Sequence, residues 1–282
     1  MPRYQVAVIG LGPCGISTAI YLKRYGHDVV LIGLENTSLN KAHLIENYYG
    51  ILSISGTDLF QMGIKQAKNL EIPIYKDEVL AIEYQNDDEF LIKTNNNEIT
   101  ATKVVLALGS AKREFPLAKK FEGNGVSYCA TCDGFLYRKK RVGILGSSLY
   151  MKHEYEVLKN IIPNLTIFTN NEKLAFEVSN PVVSDKIVAL KGDEYLEGIV
   201  TENGEYPLDG LFVAMGSQNA FTLAMHLGLA LDSMSIVVDE HYQTNIKGIY
   251  AGGDCIKGLH QVIKAASDGA IIALEISKEL KK

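Results

Sequence analysis

Short apolar runs alternate along the chain with longer stretches of helical spacing, and two of these alternations contain a glycine-rich turn. In the first, an apolar strand over Tyr4 to Ile9 precedes the glycines, and a helix then runs to about Tyr25. In the second, a strand over Arg141 to Leu145 precedes the turn and a helix from about Ser148 to Asn160. A strand, a glycine turn and a helix in this order are typical of dinucleotide-binding units.

Further elements are predicted around these two units. They are a helix over Thr57 to Asn69, short strands over Leu165 to Phe168, Ile187 to Leu190 and Leu208 to Ala214, and a last amphipathic helix from about Gln261 to Lys281. Because one nucleotide-binding unit echoes the other, we expect the α/β class with two Rossmann-like dinucleotide-binding domains of the FAD/NAD(P) type.

Length and charge narrow the function. The 282 residues favour one large or two ordinary domains, and 47% hydrophobic residues allow a sizeable core. A net charge of −5 argues against general nucleic-acid binding, which needs a strongly basic face. No apolar run approaches the roughly 20 residues of a membrane helix, so no membrane association is expected. A strand pattern that begins at Tyr4 argues against a signal peptide, and the cytoplasm is the expected compartment.

Two of the four cysteines, Cys129 and Cys132, have the CxxC spacing. In a reducing compartment such a pair is more often catalytic or metal-binding than structural. No second ligand pair with zinc spacing accompanies it, so we expect no metal, although distant histidines could converge in the fold. Two cysteines three apart can form a reducible ring, and Asp133, which follows directly, is placed to transfer a proton when the disulfide opens. Cys14 and Cys255 are expected to be small buried hydrophobes.

Three segments point to FAD. Gly10, Gly12 and Gly15 follow a strand and open a helix, whose amide groups would face a pyrophosphate. TNIKGIYAGGDC, over Thr244 to Cys255, places Asp254 where it could bind a ribityl hydroxyl. LALGS resembles the strand end of flavoproteins with two dinucleotide-binding units.

The start of the last helix, near His260 and Gln261, would stabilise negative charge on reduced flavin, unless Gln261 is only a cap. The ribose-binding acid that usually ends the second strand would fall at Gly33, and Glu35 is slightly late. The candidate FAD-binding residues are Gly10, Gly12, Pro13, Gly15, Asn47, Gly109, Gly253, Asp254, His260, Gln261 and Val262.

The chain resembles the low-molecular-weight thioredoxin reductases over nearly its whole length. The matching stretches are GLGPCG, IENYYG, GVSYCATCDGFLYR, LFVAMG, YAGGD and HQVIKAASDGA. The resemblance implies a homodimer, with an FAD-binding domain over 1–112 and 241–282. It also implies that an inserted, degenerate NAD(P)-type domain over 113–240 carries the redox disulfide and rotates during turnover. In this family pattern Cys132 is the flavin-side sulfur, Cys129 attacks the disulfide of thioredoxin, and Asp133 is the acid.

The second nucleotide unit departs from the family pattern of a GGGDSA-like turn followed by a basic cluster. Ser147 and Ser148 put side chains where backbone should meet pyrophosphate, and Tyr150 and Met151 replace small residues. The next strand ends in Thr169-Asn170-Asn171, without arginine. Each lost charged contact to a 2′-phosphate removes about 1.5–3 kcal/mol. This pattern resembles the ferredoxin-dependent flavin thioredoxin reductases, which implies reduced ferredoxin as the electron donor.

Ferredoxins are generally acidic, so their docking site should be locally basic. Candidate patches are Lys112 with Arg113, Lys119 with Lys120, and the run Arg138 to Arg141, although basic turns are often only solvated. Two alternatives stay open, an NAD(P)H-dependent reductase with an atypical nucleotide site and a non-catalytic flavin-binding redox sensor. The intact CATCD argues against the sensor, because a binding module needs no paired thiols with an acid.

Overall fold

The chain divides into two units, the second of which interrupts the first. In the computed structural model, the structure describes residues 1–35, 37–86, 89–109, 115–128, 130–215, 220–232 and 235–281. One unit consists of Met1–Ala111 with Asn219–Lys282, and the other of Lys112–Gln218. The second unit therefore interrupts the first, which confirms the inserted arrangement.

The helices and strands follow the alternation seen in the sequence. The first unit opens with β1 (Arg3–Ile9), α1 (Pro13–Arg24), β2 (Val29–Ile32), α2 (Gly56–Asn69), β3 (Ile74–Tyr75), β4 (Val79–Asn86), β5 (Glu89–Thr94) and β6 (Glu98–Leu106). The second unit contains β7 (Val126–Ser127), α3 (Ala130–Asp133), β8 (Val142–Leu145), α4 (Leu149–Lys159), β9 (Leu165–Phe168), β10 (Val182–Val183), β11 (Ile187–Lys191), β12 (Gly198–Thr201), β13 (Glu205–Pro207) and β14 (Gly210–Val213). The chain returns to the first unit with α5 (Ala220–Leu227), β15 (Leu231–Asp232), β16 (Ser235–Ile236), β17 (Ile249–Ala251) and α6 (Val262–Leu280).

The first unit is built on a sheet with the order β3-β2-β1-β6-β5-β4, and β17 pairs with the end of β6. β1 lies parallel to both β2 and β6. Its side chains alternate between two cores, with Val6 and Val8 in one and Ala7 and Ile9 in the other. Both faces of the central strands are covered, which explains their continuous apolar sequences.

The return to the first unit comes earlier than the sequence suggested. We expected it at residue 241, whereas the units divide between Gln218 and Asn219. The reason is packing, because Leu223, Ala224 and Ile236 belong to the same core as Ala7 and Ile9. The segment has no dinucleotide motif of its own, so only its contacts assign it.

The second unit has a parallel sheet with the order β10-β9-β8-β14-β7 and a separate antiparallel sheet of β11, β12 and β13. α4 packs on the parallel sheet and buries Tyr150, Met151, Tyr155 and Leu158 against it. The first unit has a parallel core of β2, β1, β6 and β17 with an antiparallel extension of β5 and β4. Together with the parallel sheet of the second unit, it confirms the predicted Rossmann-like class. Within the described part of the chain, no helix is both long and apolar enough to span a membrane.

Candidate flavin site and dithiol segment

The first glycine turn is shaped by close backbone approaches on one side and open space on the other. A Cβ added at Gly10 would lie 2.2 Å from the Ala107 carbonyl oxygen, and one at Gly15 would lie 2.0 Å from the Gly10 oxygen. At Gly12 the same Cβ would meet no atom within 4 Å. Gly12 is the N-cap of α1 and Pro13 is its first residue. The turn therefore leaves an accessible helix N-terminus of the kind that binds a pyrophosphate.

The second candidate turn, Gly253–Cys255, is a short 3-10 segment that follows β17. Gly253 has a φ of 74°, a conformation that favours glycine. Asp254 is half-buried, and among the described residues its carboxylate has no hydrogen-bond or ion-pair partner. A half-buried acceptor without a partner is suited to a ligand hydroxyl, as predicted for the ribityl chain.

A carboxylate that sequence reasoning missed holds this turn in place. Asp268 on α6 is 1% exposed, and its Oδ2 accepts a hydrogen bond from the Gly253 N–H at 2.8 Å. Its Oδ1 accepts from the Tyr242 hydroxyl at 2.8 Å, and Lys264 Nζ lies 2.7 Å from Oδ2. Burial, followed by the bond to Asp268, raises the pKa of Tyr242 to about 12, so this hydroxyl stays a donor. Asp268 therefore links α6, the glycine turn and Tyr242.

The start of α6 lies where the sequence predicted it. Val262 is the first helical residue and Gln261 is the N-cap, but the Gln261 side chain makes no capping hydrogen bond. Instead it accepts a hydrogen bond from Asn47 Nδ2 at 2.8 Å, so two candidate residues far apart in sequence meet. His260 is exposed beside them. The capping alternative for the Gln261 side chain is therefore not what the structure shows.

Two further candidate positions lie at strand ends. Gly109 follows β6 with a φ of 77°, and an added Cβ there would meet no atom within 4 Å. Gly33 follows β2, and its added Cβ would lie 3.2 Å from Leu11 Cγ, so a side chain there would be tightly packed. Glu35 instead forms an ion pair with Lys76 at 2.8 Å.

Cys14 and Cys255 are buried free thiols within the two glycine motifs. Burial raises the pKa of Cys14 well above the usual thiol range and that of Cys255 to about 12. The Cys255 Sγ also contacts the carbonyl oxygens of Leu106 and Gly252. Both residues therefore remain protonated at neutral pH and act as small packing groups, as expected.

The dithiol segment is described only in part. Cys129 and the Cys132 side chain lie outside the described residues, and the Cys132 backbone belongs to α3. Asp133 ends α3, and its Oδ2 accepts a hydrogen bond from the Ser127 hydroxyl at 2.7 Å. The Ala130 N–H, at the start of α3, donates to Oε2 of the buried Glu154 at 2.9 Å. Two carboxylates therefore hold the segment, and sequence reasoning identified only Asp133.

The turn before α4 carries side chains that take part in the fold of the second unit. Ser148 is the N-cap of α4 and accepts a hydrogen bond from the Met151 N–H at 3.4 Å. Tyr150 and Met151 are 1% and 0% exposed and pack into the core of the second unit. The Ser147 carbonyl oxygen accepts a hydrogen bond from the Ala175 N–H at 2.9 Å. The Ser148 side chain and the segment around Ala175 therefore both form hydrogen bonds at this turn.

The residues after β9 take part in local structure. Asn170 and Asn171 have φ values of 49° and 71°, and Asn170 Oδ1 accepts a hydrogen bond from the Ile187 N–H at 2.8 Å. The Asn171 N–H donates to the Ser184 carbonyl oxygen at 2.7 Å. The pair thus forms a turn toward β11, and neither side chain is a cation.

The basic residues that are candidates for ferredoxin docking differ in their hydrogen bonds, ion pairs and exposure. Lys120 Nζ donates to the Gly192 carbonyl oxygen at 2.8 Å, and Arg141 forms an ion pair with Asp209 at 2.6 Å. This bond to Arg141 keeps the pKa of Asp209 below its usual value. Lys119, Arg138 and Lys139 are exposed. The pair Lys112 and Arg113 lies outside the described residues.

Comparison with known proteins decides the family. The model of the family described as pyridine nucleotide-disulphide oxidoreductase matches residues 4–151 and 177–269. The crystal structure of the atypical thioredoxin reductase TRi from Desulfovibrio vulgaris Hildenborough is 30% identical, with 98% of each chain covered and a TM-score of 0.88. A ferredoxin-flavin thioredoxin reductase from Clostridium acetobutylicum is 31% identical over 100% of this chain and 99% of that chain, with a TM-score of 0.75. The chain belongs to the low-molecular-weight thioredoxin reductase family. Thioredoxin reductase of Mycoplasma genitalium is similar as well, 29% identical over 98% of this chain and 95% of its own length.

FAD is the cofactor of this family, and the first unit fits it. The open space at Gly12, the half-buried carboxylate of Asp254 and the start of α6 offer what a pyrophosphate, a ribityl chain and a reduced flavin require. When bound, FAD supplies the electron pair for reductive chemistry. Residues of the first unit would hold it, and Asp268 fixes the turn that carries Asp254.

A sequence signal for Asp268 and Glu154 does exist. The buried residues of α6 include Ala265, Asp268 and Ile272, and those of α4 include Tyr150, Glu154 and Leu158. Each acid thus occupies a position on the apolar face of its helix, where an unpaired charge would be costly. An acid at such a position indicates a buried partner, which for these two is a backbone N–H.

Proposed function

We propose that this protein is a flavoprotein disulfide reductase that passes electrons from FAD through Cys129 and Cys132 to the disulfide of thioredoxin. The observation that carries the proposal is the CATCD segment, whose Asp133 is held by Ser127 in a chain that also has a flavin cradle. A non-catalytic sensor would not require this acid beside paired cysteines.

The exchange balances in bonds and protons. The Cys129 thiolate attacks one sulfur of the thioredoxin disulfide, so that a mixed disulfide forms and the thioredoxin S–S bond breaks. Asp133 provides a proton to the released thiolate. Asp133 then takes the proton of the Cys132 thiol, and the resulting thiolate attacks Cys129. The Cys129–Cys132 disulfide re-forms, and the departing thioredoxin sulfur takes this proton from Asp133, so that thioredoxin leaves with two thiols. Two electrons have moved from the reductase pair to thioredoxin.

The surface next to this segment suits a protein substrate. Phe135 and Leu136 directly follow Asp133 and Gly134, and each is 65% exposed. Arg138 lies 4.7 Å from the Phe135 ring centroid. Exposed aromatic and aliphatic side chains with a neighbouring arginine are typical of protein-binding surfaces.

A matched pair of variants tests the dithiol roles. Cys132→Ser should trap a stable mixed disulfide between Cys129 and thioredoxin, because the resolving thiol is absent. Cys129→Ser should trap none, and Cys14→Ser should behave as the unsubstituted protein because Cys14 is buried away from exchange. Mass spectrometry under non-reducing conditions measures the adduct. Trapping by Cys129→Ser instead would reverse the roles, and trapping by neither would refute the pathway.

We further propose reduced ferredoxin as the electron donor. The Ser148 cap of α4, the bond between the Ser147 carbonyl and the Ala175 amide, and the two asparagines after β9 support this donor, because a pyrophosphate cradle usually has open glycines and a 2′-phosphate site an arginine. The family match is interrupted over 152–176, a stretch that includes both asparagines. The ferredoxin-flavin relative supports the same donor. The alternative, an NAD(P)H donor, draws on the family description and on relatives named only thioredoxin reductase.

An anaerobic titration separates the donors. NADPH or NADH at millimolar concentration should leave the visible absorbance of FAD almost unchanged, whereas reduced ferredoxin should bleach it and support thioredoxin reduction. Lys139→Glu should slow the ferredoxin reaction if the patch around Arg138 steers docking, and Lys23→Glu, in the other unit, should not. Stoichiometric bleaching by a nicotinamide nucleotide would overturn the ferredoxin proposal.

We also propose a homodimer formed through the first unit. Ile263, Ile271 and Leu274 are 44%, 37% and 42% exposed, and their spacing puts them on one face of α6. Light scattering on a sizing column should give the mass of two chains. Leu274→Lys should shift the mass toward one chain, and Val237→Lys, another exposed apolar site, should not.

We propose the cytoplasm as the compartment of this protein, because its buried free thiols Cys14 and Cys255 fit a reducing environment.

A further inference from the structure

Glu154 is a buried carboxylate for which the proposed exchange has no role. It lies on α4, is 2% exposed, and accepts the Ala130 N–H through Oε2 at 2.9 Å. Buried acids are rare unless a partner compensates them, and here the partner belongs to the CATCD segment. The contact joins the helix of a nucleotide-type unit to its dithiol segment.

The position of Ala130 brings this charge close to the thiols. Its nitrogen is bonded to the carbonyl carbon of Cys129, and it precedes Cys132 by two residues. A carboxylate that is bonded to this amide acts on its neighbours in the chain over a range of roughly 8 Å. At that range a buried charge is screened less than an exposed one and opposes the formation of a second negative charge.

We propose that Glu154 is a positioning residue of the redox centre that fixes the Ala130 amide and keeps the dithiol strongly reducing. Its carboxylate disfavours the thiolates of Cys129 and Cys132. Because thiolate formation stabilises the reduced state of such a pair, opposing it makes the dithiol a better electron donor. The inference rests on the proposed function, since it requires that these two cysteines form the redox pair.

The same helix supplies a matched control. Glu156 is exposed and pairs with Lys159 at 2.5 Å, two residues beyond Glu154. Glu154→Gln and Glu156→Gln therefore make the same chemical change on one helix, buried in one case and solvated in the other. Glutamine keeps the size of Glu154 and an oxygen that can accept the Ala130 N–H.

The test is an equilibrium of the FAD-loaded full chain with dithiothreitol. In this reaction the protein disulfide gains two electrons and two protons and becomes a dithiol, while dithiothreitol becomes its cyclic disulfide. Glu154→Gln should shift the equilibrium constant about threefold to tenfold toward the dithiol, by Coulomb's law over about 8 Å. The pH midpoint for alkylation of Cys129 by iodoacetamide should fall in parallel. Glu156→Gln should change neither quantity.

Glu154→Asp separates charge from packing, because it keeps the charge and shortens the side chain. It should stay close to the unsubstituted protein in both measurements, and an equal shift in both Glu154 variants would overturn the inference. So would an unchanged equilibrium in Glu154→Gln while the cysteine pair still exchanges normally. A cysteine pair that does not exchange with dithiothreitol even in the unsubstituted protein would instead overturn the proposed function.

Discussion

Substitution of Asp268 by asparagine should loosen the flavin site without rearranging the sheet. An asparagine can still accept the Gly253 N–H through its oxygen, and its amide group would then face the Tyr242 hydroxyl, which can rotate to accept. The negative charge is lost, and Lys264 loses its ion-pair partner at 2.7 Å. The shape of the network is thus kept while its strength falls.

The expected cost follows from the two hydrogen bonds. A bond to a charged group contributes about 1.5–3 kcal/mol and a neutral one about 0.5–1.5 kcal/mol, so each bond loses roughly 1 kcal/mol. The unpaired Lys264, whose side chain is 21% exposed, adds a smaller term. A total of about 2–3 kcal/mol that acts on the bound form would weaken FAD binding about 30-fold to 150-fold.

Reconstitution of apoprotein with FAD, followed by flavin fluorescence, measures this change. Tyr242→Phe is the matched control, because it removes one hydrogen bond and leaves the Gly253 contact and the charge intact. The lost bond lowers folding stability by about 1.5–3 kcal/mol, but FAD binding should weaken less than in Asp268→Asn because the contact that holds the Gly253 turn is kept. Equal affinities of Asp268→Asn and the unsubstituted protein would refute the role assigned to Asp268, as would an equal loss in Tyr242→Phe.

Three further predictions concern stability. In Gly269→Ala the new Cβ would lie 2.3 Å from the Cys14 carbonyl oxygen, so α1 and α6 must separate. Urea unfolding should show a free energy of unfolding lower by about 1–3 kcal/mol, and an unchanged midpoint would contradict this. Burial, and then the charge of Lys281, lowers the pKa of His27, so the unfolded chain binds a proton more readily than the folded one. Folding stability should therefore fall as the pH drops below about 6.5 toward the pKa of the folded state. His27→Gln should flatten that part of the stability–pH curve, and an identical slope would contradict the assignment. Ser148→Ala should cost about 0.5–1 kcal/mol through the lost cap of α4, measured by thermal unfolding, whereas no change would mean that the cap contributes nothing.

Elements with strong periodicity or a glycine turn were predictable from the sequence. The helix expected to end near Tyr25 ends at Arg24, the one expected from Ser148 begins at Leu149 with Ser148 as its cap, and the last runs over Val262–Leu280. The strand expected over Leu208 to Ala214 is shorter, Gly210–Val213, because the Leu208 and Asp209 amides donate to Glu197 and Arg141 outside that sheet.

Contacts between distant segments were not predictable in this way. The bond between Asn47 and Gln261 joins residues that no local pattern relates. The assignment of α5 to the first unit depends on Leu223 and Ala224 reaching the core of Ile9, which periodicity alone cannot specify. Glu154 and Asp268 resemble solvated charges until their helix faces are compared with their neighbours.

Restoring a nucleotide turn before α4 would take more than one substitution. Glycine at positions 147 and 148 would remove two side chains, but the Ser147 carbonyl would still be engaged by the Ala175 amide. That segment is also fastened by Leu174, Phe176 and Val178, which pack on the core beneath α4. Each reversion alone would therefore lose a cap or a packing contact and gain no ligand. The turn can thus be reshaped only by several coordinated changes.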